Sequence, residues 1–353
     1  MPMLADTIDA VVGGDTHRDS HALEIANPAG TPIATLQIDN DDLGFAQALA
    51  WIVTHAPGPN IVVALEGTRS YGIGLARALQ AAGLTVIEVG RPRREERRRG
   101  KSDPIDAHLA VLHALRLPAD RLPTPRADGD REALRILLAA RRDLTRTKTA
   151  QINRLRALLL GGNDSDRALA RGTLTEVRLA LIARRRGRPS DTLEQQIRRG
   201  EAQRLARAIR EATQALAQNK KQLADLVTAL VPALLDATGV GPVSAAQALI
   251  SWSHRGRCRD DAAFAALAGA CPIPASSGRT VRHRLNRGGD RQLNRALHDI
   301  LLTRWRICPR THAYIARRRA EGKTDPEIRR CLKRHIARQL FRTMQAATAL
   351  DAT

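Results

Sequence analysis

The chain has almost no aromatic residues, few cysteines and no long apolar run, and each shortage removes a class of function. Aromatics make up 2% of the 353 residues, so stacking bases on Phe, Tyr and Trp, the usual device of single-strand binders, is not the main mode of recognition. The four cysteines, Cys258, Cys271, Cys308 and Cys331, never form the close pairs of a zinc or redox motif and read as reduced structural thiols. No apolar span approaches the thickness of a bilayer, and no amphipathic helix of the membrane-surface kind is found, which argues against a membrane partner. The segment MPMLADTIDA holds acids where a secretory signal would hold basic residues and then a long apolar run. The expectation is a cytosolic, nucleoid-associated protein.

What is abundant is positive charge. Lys and Arg number 57 against 36 Asp and Glu, a formal net charge of +21. Such an imbalance repels itself unless it meets a polyanion, and nucleic acid is the natural partner. Arginine and backbone contacts then dominate recognition.

The length suits two sizeable cores and a connector. From Thr7 to Ile38 three strand-like runs follow one another, the last two separated by the turn residues Pro28 to Gly30. An amphipathic stretch (DDLGFAQALAWIVTHA), the apolar run NIVVALEG, then GIGLARALQAAG and LTVIEVG continue as helix, strand, helix, strand. This order predicts a mixed α/β sheet covered by helices. The run RPRREERRRGK at 91–101 is too charged for a core and reads as a mobile basic loop. Its Arg93, Arg94, Arg97, Arg98 and Lys101 are candidate nucleic-acid contacts. DPIDAHLAVLHALRL reads as a helix, and Leu117 to Asp130, rich in Pro, Asp and Gly, as a linker.

Apolar residues then recur at helical spacing from Leu134 to Leu159 and from Leu205 to Leu230, with arginines on the other faces. Two long antiparallel helices, coiled-coil and dimer-forming, are the simplest account. The stretch between them, including ARRRGRPSD, is weakly patterned and reads as flexible. The predicted organisation is an α/β domain over 1–125, a helical connector over 126–230 and a mostly α-helical domain over 231–345.

Four carboxylates stand where a strand ends or a helix starts: Asp15, Glu66, Asp103 and Asp106. Asp103 and Asp106 are one helical turn apart and so share a face. Crowded carboxylates repel unless cations neutralise them, and two Mg²⁺ ions with hard oxygen ligands would suit phosphoryl transfer. Asp103 precedes Pro104 and reads equally well as a helix N-cap, and Asp106 also suits the dipole of a first turn. Glu66 follows a five-residue apolar run, a poor place for an unpaired acid, so function is the better reading there. His17 and His21 flank Asp15 as accessory groups.

Near the carboxyl end, LLDATGVGPVSAAQAL has the layout of a helix-hairpin-helix in which Gly239 and Gly241 form a tight turn that would aim backbone N–H groups at a phosphate. A plain helical hairpin is the alternative. Further on, Ser276 and Ser277 precede Gly278, and Arg279, Arg282, His283, Arg284 and Arg287 follow. A hydroxyl beside glycine and arginines can support covalent phosphoryl chemistry; serine and glycine are also ordinary turn formers.

The fragments GGDTHRD, VVALEGT, GKSDPIDA, TGVGPVSAAQAL and LAGACPIPASSGRTVRHRLNRGGDRQLNRAL, in this order, resemble the DEDD-type transposases of the IS110 insertion-sequence family, relatives of the Piv-type DNA invertases. The resemblance implies a RuvC-like, ribonuclease-H-type domain holding Mg²⁺ with Asp15, Glu66, Asp103 and Asp106. It also implies a carboxyl-terminal transposase domain whose nucleophile, the serine directly before glycine, is Ser277. Donor and target DNA, a structured guide RNA from the element and a homo-oligomer that joins the two sites are further implications. The chain departs from the pattern at Thr16, His17 and Arg18, where the family often has a lysine, and 163–191 has no matching fragment. Two rivals follow from the residues alone: a RuvC-like nuclease using metal and water with no covalent intermediate, and a non-catalytic nucleic-acid-binding protein.

Overall fold

The computed structural model describes residues 2–90, 103–120, 122–125, 129–274, 283–284 and 286–350, with the backbone alone for Asp103, His283 and 348–350. The basic run at 91–101 lies outside the described residues, as do Ser276, Ser277, Arg279 and Arg282. The chain divides into two compact units, one built on residues 1–132 with 252–264, the other on 133–251 with 265–353.

The first unit is the expected mixed sheet. Strands β1 (Ala10–Thr16), β2 (Ser20–Ala26) and β3 (Pro32–Asp39) form an antiparallel meander. Helix α1 (Asp42–His55), β4 (Ile61–Leu65), α2 (Ile73–Ala81), β5 (Thr85–Glu88) and α3 (Asp103–Leu115) follow. The sheet order is β3-β2-β1-β4-β5, with β4 parallel to both β1 and β5. Asp41 starts α1 by accepting the Gly44 N–H at 2.8 Å, a side-chain N-cap.

Side chains alternate across a strand, and β1 is buried on both faces. Ala10 and Val12 join Ile25, Val63, Leu65, Phe45, Trp51, Leu75 and Leu79 in the core under α1 and α2. Val11 joins Ala26, Val62, Ala64 and Ile87 with Ala110, Val111 and Ala114 of α3. Gly13 is what lets α3 sit so low on this second face. A Cβ there would lie 2.2 Å from the Ala107 carbonyl oxygen and 2.7 Å from Val111. The segment expected to be a linker is tied to this unit instead: Leu117 accepts from the Leu4 N–H, Pro118 bridges Met3, and Pro123 accepts the Glu88 N–H at 2.7 Å. Edge backbone groups of the sheet need partners, and this segment supplies them.

In the second unit, α4 (Gly129–Leu160) and α7 (Leu193–Leu230) run antiparallel, as three cross-bonds show. Arg141 donates to the Leu216 carbonyl at 3.0 Å, Asn219 to that of Leu137 at 2.9 Å and Arg198 to that of Leu158 at 2.8 Å. The intervening segment, expected to be flexible, folds as α5 (Asp164–Ala170) and α6 (Glu176–Ala183). Both are capped, by the side chains of Asn163 and Thr175, and Leu179, Ile182 and Ala183 pack with Leu155, Leu159, Leu205 and Ile209. These helices are too short to show a repeat of apolar residues, so periodicity could not reveal them.

The rest is mostly helical: α8 (Ala233–Asp236), α9 (Pro242–Trp252), α10 (Asp261–Leu267), the two-residue strands β6 (Ile273–Pro274) and β7 (His283–Arg284), then α11 (Arg291–Ile307), α12 (Pro309–Ala320) and α13 (Asp325–Leu350). Leu293, Leu297, Ile300 and Leu301 of α11 are buried, as are Ile328, Ile336 and Leu340 of α13, and the two helices pack together.

The close approach of α3 to β1 predicts that Gly13→Ala destabilises the chain by about 1–3 kcal/mol, the range for overpacking a filled interior. Urea unfolding of the full chain checks this, and an unchanged midpoint would show that α3 can lift away freely.

Candidate active site

The sheet register carries Asp15 and Glu66 to one place. Val11, Gly13 and Asp15 share the α3-facing side of β1, and the parallel pairing of Val11 with Val62 and Gly13 with Ala64 puts Glu66, the residue after β4, on the same side. The Glu66 N–H donates to the Gly14 carbonyl at 3.0 Å, and the Thr16 hydroxyl donates to the Glu66 carbonyl at 2.8 Å, so the end of β4 is fastened to β1. On α3, Asp106 lies one turn before Ala110 on the buried stripe and directly before Ala107, whose carbonyl overlies Gly13.

Asp15 and Asp106 are only 6% and 4% exposed. A carboxylate that far from water needs a partner or a cation. Asp15 Oδ2 lies 3.2 Å from Nε2 of His17, a side chain that is 46% exposed. Asp103 opens α3 one turn earlier, and its side chain lies outside the described residues. Among the described residues no three His, Cys, Asp or Glu side chains gather closely enough to hold a metal ion.

Two further polar residues occupy the same face. Glu24, paired with Gly13 across the sheet, is 5% exposed, and its Oε1 lies 2.7 Å from Nδ1 of His108 on α3. An acid inside the apolar strand SHALEIA was the sequence signal for this pair, since such an acid needs a partner. Only the fold identifies that partner as His108, two residues after Asp106.

His21 belongs elsewhere. It pairs with Thr16 in the register, on the α1 side of the sheet, and is fully buried there. Its ring stacks on Phe45 at 6.2 Å, and Nε2 meets Asn40 Oδ1 at 3.0 Å. It is a core histidine rather than a neighbour of the Asp15 carboxylate. Burial pushes its imidazole below the usual range, opposed by the Asn40 bond.

At the carboxyl end, Gly239 adopts φ +80° in the turn between α8 and α9, a left-handed conformation that favours glycine. The turn leans on α11, where Arg304 Nε donates to the Thr238 carbonyl at 2.6 Å. The Val240 N–H donates to the Ala237 carbonyl and the Gly241 N–H to the Ser244 hydroxyl. Gly241, one of the two glycines expected to form a phosphate-facing turn, thus has its N–H engaged within the turn. Strands β6 and β7 pair Pro274 with His283; Ser276, Ser277, Arg279 and Arg282 lie outside the described residues, and Arg284 and Arg287 are exposed.

The pH dependence of folding should carry His21. The unfolded imidazole, with a pKa of about 6.5, binds a proton that the folded one resists. His21 thus contributes stability at neutral pH that is lost as pH falls below that value. His21→Asn should flatten the decline in unfolding free energy between about pH 7 and 5, measured by urea titration at each pH; an identical slope in the variant would refute the assignment.

Two transposase families match the chain in order. Residues 12–163 match a transposase family of the DEDD, IS110 type, and residues 231–316 match the Transposase IS116/IS110/IS902 family. The chain is also 25% identical over 363 aligned positions to the insertion element IS900 uncharacterized 42 kDa protein of Mycobacterium paratuberculosis, covering 88% of this chain and 89% of that one. The first match spans the sheet, Asp15, Glu66, Asp103 and Asp106, and the second spans the Gly239 turn and the β6–β7 hairpin. The chain is an insertion-sequence transposase of the IS110 family.

Proposed function

We propose that the chain cuts and rejoins DNA with Asp15, Glu66, Asp103 and Asp106 as a metal-holding carboxylate set and Ser277 as the nucleophile. The observation that carries the first half is that Asp15 and Glu66 share the α3-facing side of one sheet while Asp106 lies on the buried stripe of α3, two of the three almost fully buried. The mixed sheet, a meander followed by strand-helix-strand, supports the RuvC-like reading of this unit. The donor set fits a hard divalent cation such as Mg²⁺: carboxylate oxygens, no thiol, and like charges that are costly together without a cation. When bound, such ions supply charge neutralisation and an activated oxygen for phosphoryl transfer.

The chain's own groups account for the rest. Gly13 and the Thr16 bond to Glu66 hold the carboxylates in place, and the Glu24–His108 pair braces α3 beside Asp106. The Ser277 hydroxyl loses its proton and its oxygen bonds to the phosphorus of a DNA phosphodiester. The bond to the deoxyribose oxygen breaks, and that oxygen takes up a proton. Attack by the deoxyribose hydroxyl of another strand reverses the step, releasing the serine and joining the strands. Arg279, Arg282, Arg284 and Arg287 offset the charge that develops on the phosphate. Arg93, Arg94, Arg97, Arg98 and Lys101 hold the DNA backbone, a guide RNA directs donor and target choice, and a homo-oligomer brings the parts together. These last roles rest on the family resemblance and the net charge of +21.

The test is a denaturing gel of the protein with labelled element ends. Ser277→Ala should abolish protein-linked DNA while binding persists, and Asp15→Asn and Glu66→Gln should each lower strand cleavage by at least about 10²-fold, the scale of losing a charge-stabilising group. Adducts undiminished in Ser277→Ala would transfer the role to another group such as Ser276. Cleavage with no adduct in the wild type would favour a metal-and-water nuclease, and full activity in both acid variants would leave only DNA binding.

A further inference from the structure

Helix α11 has two contrasting stripes. Leu293, Ala296, Leu297, Ile300 and Leu301 are buried, whereas Arg291, Asn294, Arg295 and His298, at spacings of three and four, line the opposite stripe. That polar stripe is one wall of an open cavity of about 570 Å³. Lys333 of α13 forms a second wall, and Asn286, Arg287 and Gly288, just beyond β7, form a third. No acidic residue lines it among the described residues.

The cavity is organised around Lys333. Its ammonium donates to Asn294 Oδ1 at 2.8 Å, and Asn294 Nδ2 donates to the Ala268 carbonyl at 2.7 Å, so a lysine on one helix is fixed through a side chain on another to the backbone behind it. An ammonium has three donors, and this bond uses one. Nδ1 of His298 is buried with no hydrogen-bond partner among the described residues. Burial lowers the proton affinity of both Lys333 and His298, and Lys333 and Arg329 depress His298 further, with Asp299 the carboxylate opposing this at both groups. Three arginines and a lysine thus face one concavity with no acid in its lining. Such an arrangement is unfavourable when empty and favourable around an anion.

We propose that this cavity is a phosphate-binding site that takes a backbone phosphodiester of the bound nucleic acid, with Lys333, Arg291 and Arg295 contacting it and Asn294 positioning Lys333. Among the described residues the lining holds no Phe, Tyr or Trp on which a base could stack, so recognition falls on the charged backbone and is independent of sequence. The site lies in the same unit as the β6–β7 hairpin and begins two residues past β7. It rests on the reading of the chain as a nucleic-acid enzyme, but not on which serine attacks.

The test is fluorescence anisotropy of a labelled DNA duplex, and separately of a labelled single-stranded RNA, with full-length protein from about 50 to 200 mM salt. Each phosphate contact removed should lower the slope of log affinity against log salt by about 0.9 on duplex and about 0.7 on single strands. Lys333→Gln should lose one such increment, Arg291→Gln with Arg295→Gln about two, and Lys333→Arg none. Asn294→Ala should weaken binding in the same direction as Lys333→Gln. A change with duplex alone or RNA alone supports the site and identifies the strand it holds. Wild-type slopes for Lys333→Gln and for the arginine pair on both probes, in variants whose circular dichroism melts match the wild type, would overturn it. Loss of cleavage in Asp15→Asn beside such unchanged slopes would reject the cavity and leave the proposed function standing; normal cleavage there would reject the function independently.

Discussion

The first unit depends on one close approach, the backbone of α3 lying directly on Gly13 of β1. A side chain at position 13 would collide with the Ala107 carbonyl, and the helix would have to rise from the sheet by roughly the thickness of that side chain. The carboxylate geometry follows from this contact. Because α3 sits low at Gly13, Asp106 on its first turn is buried, and Asp15 and Glu66 lie on the side of the sheet that α3 covers. The Glu24–His108 bond crosses the same seam one strand further along. A glycine chosen for space thereby sets the position of an acid in another element more than ninety residues later in the chain.

The distribution of charge forms a second theme. A chain with net charge +21 still buries Asp15, Glu24 and Asp106 on one face of one sheet. Burying acids costs free energy unless a histidine, a bond network or a cation compensates, and His108 meets that need at Glu24 as His17 does at Asp15. In the second unit the logic is inverted. Arginines collect along the polar stripe of α11, while acids appear mostly in local pairs such as Asp164–Arg167 and Glu201–Arg204, which are worth little at an exposed surface. One unit gathers negative charge in its interior and the other leaves positive charge unmatched in a concavity. That division suits a protein that meets a polyanion.

The long helices show how polar side chains fix a register that apolar ones leave loose. Leu134, Leu138, Leu155 and Leu159 of α4 are buried, as are Leu205, Ile209, Leu223 and Val227 of α7, and leucines alone tolerate sliding by a turn. Asn219, buried, and the partly buried Arg141 donate to carbonyls of the facing helix, and a slip would leave the buried Asn219 amide unpaired, at about 1–3 kcal/mol.

Alternation and turn residues made the meander legible, along with the helix-strand alternation through LTVIEVG and the two long helices, because each is written in a period of 2 or 3.6 that local sterics impose. The acids were legible too, since Glu66 after VVAL and Asp15 after VVGG are residues that a buried strand end does not tolerate idly. Other features were not. The short helices α5 and α6 are too brief for a period to register, and the proline-rich segment after α3 looked like a linker until the sheet edge gave its carbonyls a use. His21 looked like a neighbour of Asp15 until the pleat turned it to the opposite face. The partnership of Glu24 with His108, and of Lys333 with Asn294, joins residues 84 and 39 positions apart. Sequence alone settled which segments are helix or strand and which residues carry unusual charge, because those follow from local geometry and solvation. Which of those residues meet was decided only by tertiary packing, since that depends on how closely two distant stretches of backbone can approach.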